Sequence, residues 1–363
     1  VHNLHRVHLR VAERNGRAIC GGDGSPTLSG VTFTGNTAGR DGGAMCSGGG
    51  SPTLSDVTFT GNTAGEDGGA ICDGSSDLTL LDVAFTDNAA GGDGGALYTD
   101  GDNPRLTNVT FRRNEAANGG AMVSDGFRGR SSPTLAHVTF SHNHAGDDGG
   151  ALYTTGYDGG RSSPTLTDVV FSDNTASGDG GAMHNNGLEG NSNPMLNRVV
   201  FDGNAAEGNG GAIYSYASCP VLTNVVFSGN AAGFGGAMYT RRHIVPSDPR
   251  LVNDAAHDGG ALYHLGSSYY DVNATLANVI LWGNRAVGNG DQMVNHAATT
   301  AIGHSLVEGG WDGSGIYNDG DSTVIDEGGN VDGDPLFVDG PGGDLRLPYT
   351  SPAVDAGDNG AVP

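Results

Sequence analysis

The chain has 363 residues, with 17 basic residues, all of them arginine, against 41 acidic ones, for a formal charge of −24. That balance leaves no basic stripe to neutralise phosphates, which argues against nucleic acid as a partner. No apolar run approaches the ~20 residues of a membrane-crossing helix, and 65 glycines with 14 prolines break every amphipathic window, which excludes a helical fold.

In chain order the first regular element is a repeat. Ser25 to Met45 reads SPTLSGVTFTGNTAGRDGGAM and Ser51 to Ile71 reads SPTLSDVTFTGNTAGEDGGAI, a period of 26. A unit this short cannot close a core alone and must stack on its neighbours. The pattern Leu-x-x-Val-x-Phe-x-x-Asn-x-Ala, then Gly-Gly-Ala-apolar, continues through Phe33, Phe59, Phe85, Phe111, Phe140, Phe171, Phe201 and Phe227. Leu9 and Leu281 hold the Phe position in an early and a late copy, and Leu251 to Leu262 reads as a shortened copy without its Val-x-Phe portion. We therefore expect an all-β parallel solenoid of about eleven coils, on the order of 50 Å long. Residues 1–290 would form the repeats, and residues 291–363 the terminal coils and an irregular C-terminal cap of the same domain.

Within a coil, the alternation in Val57-Thr58-Phe59 marks a short strand with one buried face. Asn36, Asn62, Asn88, Asn114, Asn143, Asn174, Asn204, Asn230 and Asn284 fall three residues later, where asparagine suits a left-handed corner and stacked amides can bond along the axis. Gly-Gly pairs such as Gly68-Gly69 supply a second corner. The residue after the following Ala is Ile, Leu or Met and is expected inside.

Phe59-Thr60-Gly61-Asn62 and Gly68-Gly69-Ala70-Ile71 resemble the FxxN and GGA(I/L/V) repeats of chlamydial polymorphic outer-membrane proteins and, more broadly, right-handed parallel β-helix proteins of bacterial surfaces. The ending Asp334-Pro-Leu-Phe-Val-Asp339, Leu345-Arg-Leu347 and Ser351 to Asp358 looks like the terminal segment of large anchored, secreted β-helix proteins. The resemblance implies a right-handed solenoid at the cell surface or outside the cell. It does not imply one activity, because such folds serve adhesins, fibres and polysaccharide-cleaving enzymes alike.

Several rows carry chemistry. Cys20, Cys46 and Cys72 share one place in three consecutive coils, at a spacing a disulfide allows; one stacked disulfide and free thiols are both open, whereas a metal site lacks the usual Cys or His spacing. Later coils place Tyr98, Tyr153, Tyr214, Tyr239 and Tyr263 there, a row expected to face outward. Asp41, Asp67, Asp93, Asp148 and Asp179 recur before the Gly-Gly pair, where calcium could screen their repulsion, although one carboxylate per coil is few ligands. His2, His5 and His8 are not expected to converge on a metal.

Insertions fall at one corner, between the Gly-Gly-Ala strand and the following Pro-x-Leu. The longer corners Ser124 to Ser132, Thr154 to Ser163 and Asn185 to Asn193 sit on successive coils and should form one raised patch carrying Phe127, Arg128, Arg130, Tyr157 and Arg161. Arg241 and Arg242 with Tyr269 and Tyr270 decorate the same corner further along. We take these as the candidate ligand- or partner-binding residues, for a polysaccharide or cell-surface ligand. No carboxylate cluster stands out from the repeat, so the expectation is a non-catalytic structural or adhesive protein, with a polysaccharide lyase or hydrolase as the alternative. Val1 falls inside a recognisable coil, so upstream sequence is expected, and an uncovered solenoid end would be an edge for head-to-tail stacking into a fibre.

Overall fold

A computed structural model describes residues 19–21, 24–74, 77–101, 103–127, 129–157, 159–188, 192–241, 245–247, 249–266, 273–340 and 344–357. Every inter-strand ladder between named strands is parallel, and successive coils pair in register: Phe59 lies opposite Phe85, and Ile71 opposite Leu97. Each coil contributes to three faces. The first carries Leu-x-x-Val-x-Phe, as in Thr53–Thr60; the second is the two-residue strand Thr63–Ala64; the third is Ile71–Gly74. Twelve strands stack on the third face and ten on the second.

The sequence explains each corner. Asp56 and Asp82 bend the first strand with φ of 52° and 53°, an angle that short polar side chains tolerate. At the Gly-Gly pair, a Cβ on Gly68 would meet the Ile71 carbonyl and one on Gly69 the Gly95 carbonyl of the next coil. Only residues without side chains allow the turn to fold that tightly onto the strand and its neighbour.

The core is a set of axial rows. Eight phenylalanines from Phe33 to Phe227 are fully buried, and their rings stack at 4.8–5.0 Å, within 7° of parallel. Beside them runs the asparagine ladder. In each rung, Oδ1 accepts the backbone N–H and Nδ2 of the preceding coil's Asn, as Asn88 does from Asn62 at 3.0 and 2.9 Å. Its Nδ2 also donates to a Phe carbonyl, Asn88 to Phe59 at 3.1 Å. The buried amide is thus fully satisfied, which is what keeps a polar row inside an apolar core from being a penalty.

One reading of the late repeat is corrected, and its Asn rung holds a further difference. The copy at Leu251 keeps its Val-x-Phe portion: Arg250 pairs with Val226 and Leu251 with Phe227, so buried Pro249 and Leu251 stand in those inward places. Its Asn position is filled by Asp254, whose Oδ1 accepts the Asn230 amide N–H at 2.8 Å and Nδ2 at 2.9 Å. Oδ2 therefore stands where every other rung presents an NH2, and it is buried without a partner. Burial, outweighing the Asn230 hydrogen bonds, pushes the Asp254 carboxyl up to about 8.

Winding continues beyond residue 290: Met293–His296 pairs with Ile316–Asp319, and Thr299–Gly303 with Thr323–Gly328. After that the chain turns back along the outside of the first face. The outward row there, polar at Ser172 and Ser228, becomes Val252 and Trp282, and these two line a cleft of about 780 Å³ together with Asp334, Leu336 and Phe337. The described residues include one helix, α1 (Pro352–Ala356), capped by Ser351, and the His304 Nδ1 donates to the Ala356 carbonyl at 3.1 Å. This short helix lies within the expected irregular cap, with Pro at its first turn and Ser351 as its N-cap.

Candidate binding ridge at the insertion corner

Strands Met122–Asp125, Leu152–Thr155 and Met183–Asn186 lie side by side in register and deliver the three long corners to neighbouring places. A glycine follows each strand, and Gly126 lets the Arg161 backbone pack directly against it. Asp125 Oδ1 then accepts the Phe127 N–H at 2.9 Å, and Asn186 Oδ1 the Leu188 N–H at 3.0 Å. These local turns fix where the next side chain points. Phe127 and Tyr157 stack with centroids 6.1 Å apart and planes at 12°. They are 41 % and 49 % exposed, with Leu188 at 42 % on the following coil. Leu188 continues the apolar ridge and was not singled out from sequence, where its corner carries no aromatic residue.

Beside this ridge, Arg130 and Arg161 pair backbone to backbone across two coils, and both are exposed. The Arg161 N–H donates to the Gly129 carbonyl at 2.9 Å, and the Arg161 carbonyl accepts from Ser131 N–H at 2.8 Å. Other arginines are engaged by carboxylates: Arg113 with Asp87, Arg198 with Asp168 and Arg346 with Asp344, each through two bonds of 2.6–2.8 Å. Among the described residues, Arg130 and Arg161 have no such ion pair, a state they share with Arg105, Arg112, Arg250 and Arg285.

Under the corner lies a buried hydroxyl layer. Ser124 Oγ is 2.9 Å from both Ser131 and Ser162 Oγ, and Thr154 Oγ1 is 2.6 Å from Ser192 Oγ. These bonds anchor the insertions to the body. Sequence reasoning missed them because Ser and Thr before a Pro read as solvated turn; the signal was their recurrence as Ser131, Ser162 and Ser192.

Of the remaining candidates, Arg128, Arg242, Tyr269 and Tyr270 lie outside the described residues, as do His2, His5 and His8. Arg241 places its guanidinium 4.9 Å above the Tyr216 ring, and its positive charge partly offsets the rise at the nearby Tyr214 hydroxyl. The tyrosine row forms axial contacts, Tyr214 to Tyr239 and Tyr239 to Tyr263 at 5.2 Å, with His184 intercalated between Tyr153 and Tyr214 at 4.9 and 4.7 Å. Burial, then the charge of Asp179, pushes the Tyr214 hydroxyl up to about 12.

The aspartate row works as a set of backbone caps. Asp67 Oδ1 accepts the Asp93 N–H at 2.8 Å, Asp148 that of Asp179 at 2.8 Å, and Asp179 that of Asn209 at 2.7 Å; Asp41 to Asp67 is longer, 3.4 Å. Burial pushes the Asp67 and Asp93 carboxyls up. At Asp148 burial acts the same way, but His184 and the Asp179 N–H outweigh it and hold the carboxyl below its usual range. His184 Nδ1 is 3.3 Å from Asp148 Oδ2 without forming a hydrogen bond to it. Among the described residues, no three His, Cys, Asp or Glu side chains converge as a metal would require.

The three-cysteine row is in register, Cys20 beside Cys46 and Cys46 beside Cys72. A hydrogen bond with Cys46, followed by burial, pushes the Cys72 thiol up.

Comparison with known families agrees with this architecture. Residues 7–165 match the family described as right handed beta helix region, and residues 168–182 and 198–216 match the Chlamydia polymorphic membrane protein repeat. The chain folds as a right-handed parallel β-helix, and the two later stretches are similar to the polymorphic membrane protein repeat. No curated protein and no solved structure matches it. No helix among the described residues is long and apolar enough to cross a membrane.

Proposed function

We propose that this protein is a non-catalytic, surface-displayed β-helix rod with an adhesive role, and that the ridge of Phe127, Tyr157, Arg130 and Arg161 is its working face. The observation that carries this reading is the contrast between body and ridge. Along the body, side chains recur coil after coil in rows that satisfy one another, which is the work of a scaffold. At the ridge, insertions project two stacked aromatic rings and two unpaired guanidinium groups from a hydrogen-bonded base, the arrangement expected of a site held on rigid elements. The polymorphic membrane protein repeats support a surface location. Two measurements test the reading. Antibody to the chain should label intact producing cells, and purified chain incubated with pectin and alginate should release neither unsaturated nor reducing sugars; sustained release would establish the enzyme reading instead.

A further inference from the structure

Three of the chain's four cysteines hold one place on the third face in consecutive coils. Cys20 is opposite Cys46, and Cys46 opposite Cys72, on parallel strands. Between inward Met45 and Ser47, and between inward Ile71 and Asp73, the Cys46 and Cys72 side chains face outward and are half-buried. The next coil continues the row with Tyr98, opposite Cys72. A tyrosine ring covers much of the sheet beneath it. A thiol covers little, so shielding the sheet does not explain cysteine in successive coils. The Cys46 and Cys72 thiols are hydrogen-bonded to each other, which puts their sulfurs in contact, and half-burial leaves both within reach of a small thiol reagent.

We propose that Cys46 and Cys72 form a reversible disulfide across two coils, a covalent modification site that responds to the thiol–disulfide balance around the rod. One S–H bond breaks on each residue, one Sγ–Sγ bond forms, and two electrons and two protons pass to a small-molecule disulfide, which leaves as two thiols. The exchange runs by attack of one thiolate on that disulfide, release of the first thiol, and attack of the second cysteine on the mixed disulfide. In-register neighbours stand about 4.8 Å apart at Cα, inside the ~4.4–6.8 Å that a disulfide spans. Their side chains rise in parallel, so the Cβ atoms keep about the same spacing, wider than the ~3.5–4.5 Å of a relaxed bond. Closing the bond must draw the two coils together against the Phe33 and Phe59 rings, already stacked at 4.8 Å. That strain makes the bond easy to reduce, which suits a switch and not a permanent staple. The Cys46 hydrogen bond and burial, with the charges of Asp41 and Asp67, keep the Cys72 thiol protonated, so closure is slow at neutral pH. Three cysteines close only one bond, and Cys20 remains a thiol.

The test incubates the full chain, reduced and freed of reductant, with oxidised glutathione at about pH 8.5, near the ordinary thiol value. Remaining thiols are alkylated, and the protein is cleaved after arginine and glutamate, which separates Cys20, Cys46 and Cys72 at Arg40 and Glu66. Non-reducing mass spectrometry should find the Cys46 and Cys72 peptides joined, in protein that still runs as a single chain on a non-reducing gel, with Cys20 alkylated. Cys219, with no cysteine on a neighbouring coil, should stop at the glutathione adduct. C20S should form the same link, whereas C46S and C72S should stop at adducts. An excess of reduced glutathione should then reopen the bond in the folded protein. Recovery of Cys46 and Cys72 as separate adducts or free thiols, a link that runs through Cys20 or between chains, or a bond that reduced glutathione leaves closed overturns the proposal. The first readout comes from the unaltered chain, so it stands whether or not a variant folds.

Discussion

The stretch from Phe33 to Phe227 and the coil at Leu251 are built from the same repeat, yet they meet the core differently. In the first, eight rings and their flanking amides make every coil interchangeable with the next. In the second, a spacing of 24 residues between Asn230 and Asp254 replaces the usual 26 seen between Asn62 and Asn88. Leu251 follows Phe227 in the stack, and a carboxyl replaces an amide. The backbone register survives all three changes. What the difference teaches is that parallel pairing tolerates substitution, whereas the satisfaction of side chains inside does not follow automatically.

Mutations at matched positions sharpen this contrast. Phe140→Ala, in the middle of the uniform stack, should lower unfolding free energy by about 3–5 kcal/mol, read from urea denaturation. Leu251→Ala should cost less, about 2–3 kcal/mol, because fewer buried atoms are removed than from a phenylalanine; an equal loss would mean the leucine carries as much of the core as a ring does. Asn143→Ala removes the acceptor for the Asn114 N–H and Nδ2 and should cost about 1–3 kcal/mol.

Asp254 gives a pH-dependent counterpart. Its folded-state value of about 8 lies above the ordinary 3.8, so the folded protein holds a proton that the unfolded chain releases. The stability this group contributes is fully present below the ordinary value and is lost as pH rises towards about 8, at up to about 1.4 kcal/mol per pH unit. Asp254→Asn restores a neutral donor at the rung and should flatten that portion of the profile while raising stability at pH 7. A parallel slope in both proteins would remove Asp254 as its source. The smallest effect is chemical: under reducing conditions at pH 8, Cys72 should alkylate more slowly than a small-molecule thiol, since its thiolate is disfavoured. Mass spectrometry of the labelled peptide reads this directly.

Much of the body was legible because the repeat preserves residue type where geometry is strict. Phe at one place, Asn three residues on and Gly-Gly at the second corner each answer to one physical demand, so their recurrence revealed axial rows before any coordinates. Asp254 escaped because an aspartate in a chain with many aspartates carries no mark of burial. The Leu251 coil was misread because Pro249 does not look like a strand valine, though its ring fills the same inward place. At the ridge, insertion length located the patch and its aromatic and basic residues. The engaged or bare state of each arginine depends on the neighbouring coil at a separation of 26–31 residues, as with Arg113 and Asp87 or Arg130 and Arg161, and a single linear segment cannot show that.

The ladder bonds have a mechanical corollary. Backbone pairing and amide bonds alike run from one winding to the next, parallel to the long dimension, so tension applied at the two tips passes through every winding but peels the terminal ones first, where the pulled strand breaks its bonds one after another. Such a rod should unzip from its ends in discrete steps, each paying out about 90 Å of slack for 26 residues, and single-molecule stretching should record a regular sawtooth instead of one abrupt rupture.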